Sequence, residues 1–140
     1  MRVMVIVKGS PDPSFWQPDT KALSQMAVYN EMLAKAGVLI AAEGLKDPAA
    51  TKRVRFDDDK RSVLDGPHPE AKEVVGGFWM LQVKSMDEAI DYVKQVPFGG
   101  GAEVEVRQVS ELDDFGDAMT PKLREREQRV AQMMRQNAGL

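Results

Sequence analysis

The sequence predicts an α+β fold: one antiparallel sheet in the split βαβ order, with an inserted β-hairpin and a C-terminal helix. Three observations carry this. Period-two and helical patterns follow one another as strand, helix, strand, hairpin, strand, helix, strand. Each of the two helices between strands is bounded by a stop residue of its own, Gly37 for the first and Pro97 for the second. The runs at 3–7 and 78–81 are apolar on both alternating faces, as strands covered on both sides are.

Taken in order, residues 2–8 form the first strand, through Val3, Met4, Val5, Ile6 and Val7, and Ser10-Pro11-Asp12-Pro13 ends it. Leu23, Met26, Tyr29/Asn30, Leu33 and Ala36 recur at helical spacing over 20–36, with Gly37 placed for a left-handed cap. Residues 38–45 make a second strand, stopped by Lys46-Asp47-Pro48. Alternation over 51–57, the turn Asp58-Asp59-Lys60 and a short partner at 61–65 predict the inserted hairpin. Gly66-Pro67-His68-Pro69 is a loop, because two prolines stop helix and ladder alike.

The next strand spans 77–84. Ser85-Met86-Asp87-Glu88 is a capping box for a helix carrying Ala89, Ile90, Val93 and Val96 on one side. Gly99-Gly100-Gly101 leads to the last strand, 103–109, and Thr120-Pro121 opens a third helix over 121–137. This is the ferredoxin-like plan, whose two helices cover one face of the sheet. The tail helix is too polar to cover the other, so a second subunit is expected there and the chain is read as a homodimer.

Composition narrows the chemistry. The 140 residues are 43% hydrophobic, enough for a core, and include no cysteine and one histidine, His68. Disulfides, thiolate nucleophiles, iron–sulfur clusters and multi-imidazole metal sites are thereby removed, and no metal or cofactor is expected. No apolar stretch approaches the roughly eighteen residues of a membrane span, and a cytoplasmic protein without membrane contact is expected. Residues 121–140 carry 5 basic and 2 acidic side chains. Lys122, Arg124, Arg126, Arg129 and Arg135 there are interleaved with Glu125 and Glu127, which reads as a solvated face and not as a nucleic-acid surface.

Several spaced motifs together resemble a known family. They are Ala42-Glu43-Gly44-Leu45, Val63-Leu64-Asp65-Gly66-Pro67, Glu70 to Trp79, Ser85-Met86-Asp87-Glu88-Ala89 and Glu105-Val106-Arg107-Gln108-Val109. The chain is similar in these to the YCII-related family, more narrowly to the branch named for its Asp-Gly-Pro-Phe motif, over 1–115, leaving 116–140 as a helical tail. The resemblance implies a dimeric α+β barrel with a cleft on the sheet face near the dimer contact. It also implies a His–Asp pair in some relatives, aromatic-ring degradation in at least one, and a link to alternative sigma factors for the branch. This sequence departs from it: His68 stands where the motif has phenylalanine, and the first strand holds no histidine.

Asp65, ending a strand before Gly-Pro, is a candidate base projecting into a cleft, or a carboxylate that fixes its turn. Glu43 sits between two small neighbours; buried beside Asp65 it would form a pair suited to proton transfer, and otherwise a salt bridge to Arg55 or Lys72. His68 can shuttle a proton or is a surface residue. Arg55, Lys72 and Trp79 are candidate ligand contacts, Trp79 equally a core or dimer residue. Geometry along the chain predicts Asp65, Glu43 and the 66–73 loop around one pocket. Three readings follow: a small-molecule lyase or isomerase with a carboxylate base, a metabolite-binding or regulatory module, and a structural dimer without activity.

Overall fold

The computed structural model describes residues 1–10 and 13–139. Six strands are formed: β1 (Arg2–Gly9), β2 (Leu39–Gly44), β3 (Lys52–Asp57), β4 (Lys60–Asp65), β5 (Val74–Gln82) and β6 (Val104–Gln108). The helices are α1 (Thr20–Lys35), α2 (Met86–Val93) and α3 (Pro121–Asn137). β1, β2, β5 and β6 make one antiparallel sheet in the order β2-β5-β1-β6, while β3 and β4 pair only with each other. That is the expected α+β fold, the ferredoxin-like sheet with its hairpin inserted between β2 and β5.

Local chemistry explains the boundaries. The Asp19 carboxylate accepts the Ala22 N–H at 2.8 Å to start α1, and Gly37 (φ 76°) ends that helix in the left-handed region. Ser85 Oγ accepts the Glu88 N–H at 3.1 Å, and Glu88 returns the bond one residue earlier than a strict capping box, to the Lys84 N–H at 2.6 Å. α2 stops at Val93, short of Pro97. Thr120 Oγ1 accepts the Leu123 N–H at 3.2 Å with Pro121 in the first turn of α3.

Register decides the core. Val3 pairs with Leu81, Val5 with both Trp79 and Val106, and Ala42 with Trp79. Residues paired this way share a face, and this face packs on Tyr29 and Leu33 of α1 and Ala89 of α2. Val3, Leu33 and Leu81 are wholly buried, each side chain contributing about 1.5–3 kcal/mol on leaving water. The alternate positions Met4, Ile6, Phe78 and Met80 form the centre of the opposite face and are half-buried. At its margin Lys8 and Glu105 form a 3.0 Å ion pair. Their hydrogen bond and attraction hold the lysine above, and the glutamate below, its ordinary pKa.

The chain divides into two compact units, the first ending at Val109 and the second beginning at Ser110. The second holds a short 3-10 segment, kinked at Gly116, and α3; Arg124 pairs with Asp113 at 2.7 Å within it. Among the described residues no helix is long and apolar enough to cross a membrane.

Candidate functional site

A cavity of about 400 Å³ opens between α1 and the β2–β5 edge of the sheet, on the helix side. Three segments supply its aromatic walls. A 3-10 turn at Pro13–Trp16 brings Phe15 and Trp16 over the end of β1, edge to face with centroids 5.0 Å apart. Gly9 permits this approach: a Cβ there would lie 2.8 Å from the Trp16 ring. Trp79 forms the floor, 5% exposed, edge-on to Tyr29 at 5.4 Å. Phe98, after Pro97, closes the far side with its centroid 6.3 Å from that of Trp79.

The polar content of this cavity is small. Trp16 Nε1–H donates to the Ser10 carbonyl at 2.8 Å, so that indole is already satisfied. Trp79 Nε1–H donates to Asn30 Oδ1 at 2.7 Å. Glu43 borders the cavity, yet it pairs with Phe78, next to Trp79 in the strand. Alternation therefore sends its carboxylate to the face turned away from the helices. Among the described lining residues, Asn30 is thus the polar side chain on the helix side of this mostly apolar, ring-lined space.

The residues singled out in the sequence are dispersed. Asp65 lines neither this cavity nor its neighbour; it is exposed at the end of β4 and ion-paired with Lys52. Of the set expected around one pocket, Glu43 borders the main cavity and Pro67, His68 and Ala71 of the 66–73 loop border its neighbour, while Asp65 ends a strand of the separate β3–β4 sheet. His68 borders a second cavity, of about 320 Å³, with Lys46 and Arg53. Its Nδ1 accepts the Glu70 N–H at 3.2 Å, which places the ring proton of the neutral imidazole on Nε2. Arg53 Nε donates to the Gly66 carbonyl at 2.8 Å and ties the loop to the hairpin. Arg55 and Lys72 are exposed, line neither cavity, and among the described residues form no ion pair. Trp79 alone of the predicted set combines burial with the main cavity. Among the described residues no cluster of three His, Asp or Glu is placed to hold a metal ion.

Sequence reasoning passed over Trp16, Phe98 and Asn30. The signal for Asn30 was present: an amide on the apolar stripe of α1, where a leucine-like residue is the default. For Trp16 and Phe98, each outside the regular elements, periodicity carries none.

Fold and site together define a small α+β protein with a ferredoxin-like sheet and an aromatic cavity beneath its helices. The chain belongs to the YCII-related family: the YCII-related domain matches residues 1–113. It is 27% identical over 92 residues to an uncharacterized protein of Rhizobium meliloti (strain 1021), covering 63% of this chain and 74% of that one. Among solved structures it is similar to 5-chloro-2-hydroxyhydroquinone dehydrochlorinase from Burkholderia phenoliruptrix AC1100 in complex with 2,5-dihydroxybenzoquinone. That likeness covers 79% of this chain and 95% of the other, at 18% identity and a TM-score of 0.48.

Proposed function

We propose that this YCII-related protein binds a small, flat, mostly apolar molecule in the helix-side cavity. One observation carries the reading: both tryptophans of the chain, with Phe15 and Phe98, wall a cavity of about 400 Å³. Ring faces offer dispersion and offset stacking to a planar guest, and a volume of this order is that of ordinary ligand pockets. Among the three readings the geometry favours binding over proton transfer. Asp65, the candidate base, is exposed and paired with Lys52, while its candidate partners Glu43 and His68 border two different cavities.

Within the family we place the chain in the branch with the Asp-Gly-Pro-Phe motif, on Asp65-Gly66-Pro67, with His68 in the phenylalanine's place. We further propose a homodimer closed sheet to sheet through Met4, Ile6, Phe78 and Met80. Their half-buried apolar cluster is the support, since α1 and α2 pack on the other face.

The test of the cavity uses its own reporters. The chain has two tryptophans, so a proton–nitrogen spectrum shows two indole N–H signals, both from the cavity wall. Titration with small planar aromatic compounds is expected to shift both. Signals that stay fixed to millimolar concentrations would overturn the reading.

A further inference from the structure

We infer that Asn30 is the specificity-determining contact of the cavity, a fixed hydrogen-bond donor that selects guests carrying an uncharged acceptor oxygen such as a ketone. The inference rests on the cavity being a binding site and names what it selects.

The argument begins with Trp79. An indole N–H can only donate, so the amide atom 2.7 Å from it is the oxygen of Asn30. That contact locks the side chain, and the amide NH₂ necessarily points elsewhere. Among the described residues Nδ2 has no acceptor. No buried side-chain nitrogen or oxygen in the described structure lacks a partner, so this nitrogen is not sealed inside the protein. Asn30 lines the cavity, and on this inference its donor opens into it.

A donor held rigidly among rings discriminates strongly. A guest that accepts from it gains a bond whose orientation was fixed before binding; a guest of the same shape without an acceptor strips water from the amide and returns nothing. The sign of the guest's charge follows from the same inventory. Among the described residues, those lining the cavity include no Lys, Arg or His. A carboxylate would therefore be desolvated there without a countercharge. The favoured guest is a flat, neutral molecule with one carbonyl oxygen near its edge.

Acetophenone and α-methylstyrene have nearly the same shape and differ in C=O against C=CH₂, so they isolate the acceptor. Both are titrated by the two indole N–H signals into the wild-type chain and into Asn30→Asp. That variant keeps an oxygen for the Trp79 N–H and replaces the donor with a second acceptor. The wild type is expected to bind the ketone roughly three to ten times more tightly than the alkene, the worth of one neutral hydrogen bond. Asn30→Asp should lose that preference while still binding the alkene. Equal wild-type affinity for the two compounds overturns the role of Asn30 and leaves the cavity reading intact. A ketone preference that persists in Asn30→Asp overturns it as well. Binding of neither compound overturns the cavity reading itself. If Asn30→Asp does not fold, the wild-type ratio is decisive by itself, since a value near one refutes the donor.

Discussion

Tyr29 couples the two helices by one bond. Its ring is buried against Trp79 and its hydroxyl donates to the Tyr92 carbonyl at 2.9 Å, 63 positions along the chain. Burial pushes the phenol up to about 12 from 10.0. A raised folded-state pKa means that the contribution is complete below the unfolded value near pH 10 and disappears as pH rises through about 12. Tyr29→Phe should cost about 1 kcal/mol near neutrality and remove most of the alkaline dependence in that window, read by urea unfolding at several pH values. Gly77 illustrates a second residue-scale constraint. A Cβ there would stand 2.7 Å from the Glu43 carbonyl oxygen and 3.2 Å from the Gly44 Cα, both backbone of the neighbouring strand. Gly77→Ala must therefore widen the β2–β5 ladder along the cavity, and a loss of about 1–3 kcal/mol is expected in thermal or denaturant melts.

At the scale of elements, the β3–β4 hairpin stands out because it buries so little. Val54, Phe56 and Val63 are more than half exposed, and the Arg61 guanidinium lies 4.7 Å above the Phe56 ring. Its turn carries Asp58 at φ 40°, a left-handed conformation that costs a residue with a Cβ about 1–2 kcal/mol. Asp58→Gly is expected to recover up to about 1 kcal/mol of hairpin stability. Slower amide exchange across the Lys52 to Asp65 ladder would register it. Asp65→Asn, in contrast, removes one member of an exposed ion pair and should change global stability by less than about 1 kcal/mol. A larger loss on denaturation would give Asp65 a structural role that the geometry does not support.

For the whole molecule, the decisive question is the sheet face opposite α1 and α2. Met4, Ile6, Phe78 and Met80 sit where a second copy would pack, and a stable sheet-to-sheet interface needs roughly 2,000 Å² in total. Light scattering at micromolar concentration is expected to give twice the mass of one chain, and Ile6→Lys to give a folded monomer, because a lysine there meets its symmetry mate's apolar surface. A wild-type monomer would sink the dimer. The first unit holds the sheet, α1, α2, both tryptophans and the cavity. A chain ending at Val109 should consequently fold with its two indole signals unchanged.

Local chemistry decided most of the architecture. Caps at Gly37, Ser85 and Thr120, and the alternation of Val3 to Val7 and Phe78 to Leu81, act over a few residues. They are legible along the chain, and they suffice for element order and for the face that lies under the helices. The site was different. Glu43 and Ala42 are adjacent in sequence, yet register sends one to each side of the sheet. Asp65 ends the hairpin inserted after Glu43, and that hairpin forms a sheet of its own. Asn30 and Trp79 are 49 positions apart and meet because α1 lies across β5. Which side chains share a cavity depends on strand register and on how separate elements pack, quantities no local pattern encodes. The sequence by itself determined a ferredoxin-like sheet with an inserted hairpin; only the tertiary packing decided that its cavity is walled by tryptophans and answered by a single amide.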